Sequence, residues 1–173
     1  MPNYLLNNEE SERLRFRKVI PSDFKDWLPF HEEPLSSQYW SGLPNEPETA
    51  CKEQFSRIFE RYGEASGGMN ALISKDTHKL IGLAGLLVQT VDGKEELEIG
   101  YSILPEYWRQ GYAFEAAQKC KSVAFGKNWS KSLISIIQVA NIPSQKTALK
   151  KSMFLEHATT YKNNAVYIFR INA

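Results

Sequence analysis

The chain has 173 residues, 21 of them Lys or Arg and 20 Asp or Glu, for a formal net charge of +1. It is 42% hydrophobic and 24% charged, with a mean hydropathy of −0.42, so it can bury a core of about one domain without disulfide or metal staples. No block of like charge marks a nucleic-acid surface or polybasic membrane patch, and no run nears the roughly 18 apolar residues of a membrane helix.

In chain order, Glu12 to Val19 (ERLRFRKV) alternates apolar and charged residues, which predicts a half-buried strand. PSDFKDWLPF follows, with Phe24, Trp27 and Leu28 at helical spacing behind a Pro-Ser-Asp start, so a short helix is expected. HEEPLSSQYWSGLPNEP is rich in Pro, Ser and Gly and reads as a loop. Its Tyr39 and Trp40, with Trp27 before them, line an acceptor pocket or simply anchor the core. From Glu46 to Tyr62 a helix places Cys51, Phe55, Ile58, Phe59 and Tyr62 on one stripe, with Lys52, Glu53, Arg57, Glu60 and Arg61 opposite.

MNALISK and KLIGLAGLLVQT then read as two strands joined at Asp76-Thr77-His78, and an Asp92-Gly93 turn leads into a third. A helix spans about Ala113 to Phe125, with Ala113, Ala117, Cys120 and Ala124 along one face and Glu115 to Lys119 as an i,i+4 pair. Ser132 to Ala140 reads as a buried strand, NIPSQKTALKKS as a short helix with Pro143 near its start, and the last stretch as a hairpin across Lys162-Asn163-Asn164. The order implies a single α/β domain, with the Ala113 helix as a crossover between two strands.

Cys51 and Cys120 lie far apart in helical patterns and read as reduced, packed thiols, and with no signal-like start a cytoplasmic protein is expected. His31, His78 and His157 share no ligand spacing, so no metal is expected.

In LEIGYSIL, alternation puts Leu97, Ile99, Tyr101 and Ile103 on one face and Glu98, Gly100, Ser102 and Leu104 on the other. YWRQGYAFEAA follows. A glycine just before a helix lets unpaired amides and the positive end of the helix dipole meet an anion, though such a glycine also serves ordinary turns. G-x4-G-K-[ST] and G-x-G-x-x-G are both absent, which argues against a nucleotide phosphatase or a dinucleotide dehydrogenase.

LEIGYSILPEYWRQGYAFEAA resembles the acetyl-CoA-binding core of the GNAT superfamily of N-acetyltransferases, in its ribosomal-protein-alanine (RimJ/RimL-like) branch. NIPSQKTALKKSMFLE and SERLRFRKVIPSDF are similar to two further segments of that branch, in family order, so the resemblance covers about residues 11 to 172 of a single domain, 1–173. It implies a mixed, mostly antiparallel twisted sheet flanked by helices.

It further implies that the backbone amides of Arg109, Gln110, Gly111, Tyr112, Ala113 and Phe114 cradle the pyrophosphate of acetyl-CoA. The backbone around Ser102, Ile103 and Leu104 would pair with the pantetheine arm, and Asn141 would bond near the thioester. Glu98 matches a strand position that serves as base in some relatives, or it only binds substrate. Ser144 matches a proposed proton donor to the thiolate, or it only caps its helix. The acceptor would be a protein N-terminal amine, an amino acid or a small amine, and the last strands of such folds often associate as a homodimer. A non-catalytic module that binds CoA or an acyl-CoA is the competing reading. Three positions depart from the pattern: Arg109 and Ser152 stand where Gly is common, and Phe114 where Thr is frequent.

Overall fold

A computed structural model describes residues 2–173. β1 (Leu14–Lys18) buries Leu14 and Phe16 and turns Arg15 outward, as its alternation requires. A 3-10 turn at Pro21–Asp23 leads into α1 (Phe24–Glu32), which runs two residues past the expected end. The two extra residues are held by a tertiary contact invisible to local pattern: buried His31 lies 2.7 Å from Gln54 Oε1. α2 (Pro47–Glu64) starts on Glu46, whose carboxylate accepts from the amides of Glu48 and Thr49. It stops at Ala65, which takes a left-handed φ of 54°.

β2 (Gly67–Ser74), β3 (Leu80–Val91) and β4 (Lys94–Ile103) form an antiparallel meander. Asp92 and Gly93, at φ 49° and 76°, make the two-residue turn whose twist suits a hairpin. A second 3-10 turn, Pro105–Tyr107, which the sequence pattern did not indicate, precedes α3 (Tyr112–Gly126). β5 (Ser132–Gln138), α4 (Ile142–Lys150), β6 (Phe154–Tyr161) and β7 (Asn164–Asn172) complete the chain. The last hairpin turns on Lys162 and Asn163 alone, at φ 47° and 65°, and Asn164 already belongs to β7.

Among the described residues the seven strands form one sheet in the order β1-β2-β3-β4-β5-β7-β6. Every neighbouring pair is antiparallel except β4 and β5, whose parallel pairing is what the α3 crossover demands. This is the expected mixed, mostly antiparallel sheet flanked by helices. On one face Ala116, Ala117, Cys120, Val123 and Ala124 of α3 pack on Leu97, Ile99 and Ile103 of β4. Small side chains let the helix lie close to the sheet. On the other face Trp27 and Phe30 of α1 and Phe55 and Ile58 of α2 pack on Ala71 and Leu83. Each large buried side chain there contributes roughly 1.5–3 kcal/mol.

Glu115 and Lys119 do not pair with each other. Glu115 binds Arg13 and Ser11, and Lys119 pairs with Glu9 at 3.2 Å. The N-terminal segment lies along α3 and offers partly buried partners. These outweigh an exposed i,i+4 pair worth about 0.2–0.5 kcal/mol.

Candidate active site

β4 and β5 share a single ladder position, Glu98 opposite Ile134, and then diverge. The wedge so opened continues into the loop before α3. Leu104 N bonds Ile81 O at 3.0 Å, so the alternation of an antiparallel pair sends the Ser102 and Gly100 backbone groups to β3 as well. The groups of Tyr101 and Ile103 therefore point into the wedge. The Ile103 carbonyl is taken by Trp108 Nε1 at 2.7 Å, which leaves its amide and both Tyr101 groups free. Of the expected pantetheine partners, Ser102 and Leu104 thus present backbone to a neighbouring strand, and Ile103 offers one donor. Tyr101, which the sequence reading passed over, offers a donor and an acceptor.

At the loop, Gly111 is the N-cap of α3 with φ 82°. No backbone or side-chain acceptor takes the amides of Arg109, Gln110, Gly111, Tyr112, Ala113 or Phe114 among the described residues. Six free donors at a helix start carrying about half a positive charge form an anion cradle. Its shape is held from outside by Arg13. The Arg13 guanidinium donates to Gln110 O at 2.9 Å and to Glu115 Oε2 at 2.8 Å, and lies 4.0 Å from the Tyr112 ring centroid. Glu115 Oε1 also accepts from Arg13 N and Ser11 Oγ. Arg109 sits at φ 62°, and Ser152 at φ 67°. Both are the left-handed positions at which glycine is common in the resembled pattern, and each L residue there bears strain. Phe114 supplies no hydroxyl, but the Lys150 ammonium lies 5.1 Å from its ring centroid, at the cradle's edge.

Beyond the wedge lies a cavity of about 500 Å³. Its lining includes Glu98, Ser102, Asn141, Ser144, Tyr39 and Trp40 from the candidate residues, but not the loop. Trp27 does not reach it. That side chain is fully buried, stacked on Phe30 at 4.5 Å and bonded through Nε1 to Gln54 Oε1, so it serves the core rather than an acceptor wall. Asn141 is the N-cap of α4: its Oδ1 accepts from Ser144 N at 3.3 Å, leaving Nδ2 unspent. The Ser144 hydroxyl neighbours the Tyr101 hydroxyl, which is buried without a hydrogen-bond partner of its own. Burial pushes the Tyr101 phenol up, and the Ser144 and Thr147 hydroxyls oppose that.

Burial raises the Glu98 carboxyl above its ordinary value, against opposing hydrogen bonds from Gln89 and the Ile136 amide and the attraction of Arg61 and Lys162. Gln89 Nε2 donates to Glu98 Oε1 at 3.0 Å. Gln89 Oε1 in turn accepts from Tyr161 Oη at 2.8 Å and Arg61 Nη2 at 3.0 Å, which fixes the amide's orientation. Gln89, Tyr161, Arg61, Arg57, Gln54 and Lys162 all line the cavity and were not singled out from sequence. The α2 members did leave a signal: Gln54, Arg57, Ile58 and Arg61 follow i, i+3, i+4, i+7, which puts all four on one face. Arg57 and Arg61, expected opposite the apolar stripe, thus line the cavity.

The sequence pattern described as "Acetyltransferase (GNAT) domain" matches residues 13–153. The chain belongs to that family. It is an acetyltransferase. Similar proteins include the uncharacterized N-acetyltransferase YoaA of Bacillus subtilis (strain 168), 24% identical over 174 residues, covering 93% of this chain and 96% of that one. Among solved structures, the acetyltransferase from Agrobacterium tumefaciens str. C58 superposes with a TM-score of 0.80 at 21% identity, over 95% of this chain and 94% of the other. RimL, a ribosomal L7/L12 alpha-N-protein acetyltransferase in complex with coenzyme A, gives 0.72 at 13% identity, covering 95% and 97%. At these identities the two structures speak to the acetyltransferase's fold alone. No helix of the structure is long and apolar enough to cross a membrane.

Proposed function

We propose that the chain moves the acetyl group of acetyl-CoA to a primary amine by direct attack on the thioester, as a RimJ/RimL-like member of its family. The observation that carries this is the combination of three features: a cradle of six free amides, a wedge with both Tyr101 backbone groups and the Ile103 amide free, and a cavity lined by the Glu98 carboxyl. The fit to the donor is chemical. A pyrophosphate needs N–H donors rather than acceptors, and residues 109–114 offer six amides with no acceptor among the described residues. The pantetheine amides need both kinds, which Tyr101 supplies. Asn141 Nδ2 would donate near the thioester. Among the described residues no cluster of three His, Cys, Asp or Glu suits a metal ion.

Bound there, acetyl-CoA supplies an activated acyl carbon and a thiolate leaving group. The chain's own residues would manage two protons. An amine arrives as an ammonium and must lose a proton before it can attack. Glu98, its proton affinity raised by burial, would accept it directly or through one water, with Gln89 and the Ile136 amide holding the carboxylate in place. The Ser144 hydroxyl, backed by that of Tyr101, would give a proton to the thiolate and be reprotonated by the second proton that the attacking nitrogen sheds as it becomes an amide. Tyr39, Trp40 and Tyr161 would keep bulk water from the reacting centre.

Release of free thiol from acetyl-CoA over a panel of amines tests the proposal, with coenzyme A titration alongside. Turnover with an amine supports it. Tight CoA binding with no thiol release from any amine would instead favour a non-catalytic CoA-binding module.

A further inference from the structure

The cavity lining is cationic apart from its one carboxyl. Arg57 and Arg61 project from one face of α2, and Lys162 stands at the turn between β6 and β7, while Glu98 is the only carboxylate in the lining. Arg61 and Lys162 have no carboxylate ion-pair partner among the described residues, and Arg57 meets only Glu53, at 3.9 Å on the exposed side of the helix. Arg61 spends three of its five N–H groups on Ser66 O, Val88 O and Gln89 Oε1, which leaves Nε–H and one Nη2–H. Those bonds also make it a rigid donor rather than a waving one.

Gln54 points the same way independently. Its residue surface is 7% exposed, and its Oε1 accepts from Trp27 Nε1 at 2.7 Å with His31 Nε2 at 2.7 Å from the same atom. An amide oxygen only accepts, so the imidazole donates there, and burial keeps that ring neutral by lowering its pKa. The Gln54 Nε2 group is then the end without a partner, at the cavity lining. Two guanidiniums, an ammonium and an amide N–H2 thus converge on a space where an incoming ammonium finds one carboxylate. A plain alkylamine would meet mostly like charge. A substrate with its own anion would pair with the cations and place its amine toward Glu98.

We infer that the preferred acceptor is a primary amine that itself carries a carboxylate, with Arg57, Arg61, Lys162 and Gln54 as the carboxylate's binding groups. This rests on the acetyl-transfer proposal and narrows its substrate. The aromatic side chains of Tyr39, Trp40 and Tyr161 leave room for an apolar or aromatic body between the two charged ends. A free amino acid and the N-terminus of an acidic peptide share this chemistry.

The test uses matched pairs: L-phenylalanine against phenethylamine, 4-aminobutyrate against butylamine, and Ser-Asp-amide against Ser-Asn-amide. The carboxylate member of at least one pair should have a kcat/KM higher by about tenfold or more, as one charge-assisted contact allows. The first two pairs report free amino acids and the third an acidic peptide. Arg57→Gln and Lys162→Gln should each shrink that preference several-fold through KM, while Lys79→Gln, on the exposed turn between β2 and β3, should leave it intact. Equal or better turnover of every uncharged partner overturns the inference while leaving acetyl transfer standing. Should no amine turn over, calorimetric titration of the CoA-loaded protein with N-acetyl-L-phenylalanine and N-acetylphenethylamine decides it separately. Tighter binding of the carboxylate supports the inference, and equal binding removes it.

Discussion

Lys151, just past α4, is the sharpest energetic test. Its side chain is 1% exposed, and Nζ has no hydrogen-bond partner among the described residues. The nearest compensation is the Tyr101 ring, with its centroid 5.2 Å away. The Cys120 thiol beside it is pushed up to about 12 by burial and offers no negative charge at neutral pH. Burial pushes Lys151 down from 10.5 to about 8. The unfolded chain therefore holds this proton to a higher pH than the folded chain does. At pH 7 both states are protonated, and the folded state bears the whole cost of the buried charge, about 3 kcal/mol at about 1.4 kcal/mol per pKa unit. Between about pH 8 and 10.5 the unfolded state binds more proton, so this residue makes stability rise with pH.

Lys151→Met keeps the apolar stem and removes the ammonium. Loss of the ring contact takes back about 1 kcal/mol, for a net gain of about 2 kcal/mol at pH 7. Urea unfolding at pH 7 and pH 9 measures both quantities. The variant should be the more stable at pH 7, and its advantage should shrink by about 1 kcal/mol at pH 9, where the wild-type lysine is largely neutral when folded. Comparing the two proteins at each pH cancels the thiols and phenols, which titrate alike in both. A destabilised variant, or an advantage that ignores pH, would refute the reasoning.

Further outcomes follow from the site. Glu98→Gln should lower kcat/KM by about 10²-fold and abolish the acid limb of its pH profile. In the wild type that limb should lie above the ordinary carboxylate range, because burial raises the group, with activity rising as the proton leaves. Gly111→Ala has room for its methyl, 3.5 Å from Arg13 Nη2, but a φ of 82° costs an L residue about 1–2 kcal/mol. Calorimetry should show acetyl-CoA binding about tenfold weaker, with kcat changed less. Glu115→Gln should raise KM for acetyl-CoA a few-fold by loosening Arg13 from the loop, yet change stability by less than about 1 kcal/mol because Arg13 is partly exposed. Ser152→Gly should raise the thermal midpoint, relieving up to about 1 kcal/mol of left-handed strain at φ 67°.

Much of the fold was readable because it is written in short-range periodicity. Leu14 and Phe16 alternate with charged residues, Phe55 and Ile58 repeat at helical spacing, and Asp92-Gly93 names its own turn. The glycine-led start of α3 was readable too, as a local feature of the backbone, while its reading as a cradle came from the family resemblance. Errors arose where distant segments compete. Glu115 deserts Lys119 for Arg13, more than a hundred residues earlier, and α1 outlasts its local signal because His31 reaches Gln54. The sequence leaves Trp27 open between an acceptor wall and the core, and the packing of α1 on α2 seals it in the core.

The sequence by itself therefore determined the element order, the crossover, the family resemblance and the glycine-led start of α3, which rest on short-range patterns and local motifs. The tertiary structure decided which side of each element faces the cavity. Only folding brings Gln89 of β3, Glu98 of β4, Arg61 of α2 and Tyr161 of β6 into one hydrogen-bond chain, and sets Arg57, Gln54 and Lys162 around the same space. Gln89 and Glu98 meet across one hairpin, but Arg61 and Tyr161 reach Gln89 from 28 and 72 positions away, so no local period encodes the hydrogen-bond chain. These contacts exist because β4 and β5 part after a single ladder position, leaving a gap that side chains from four elements surround.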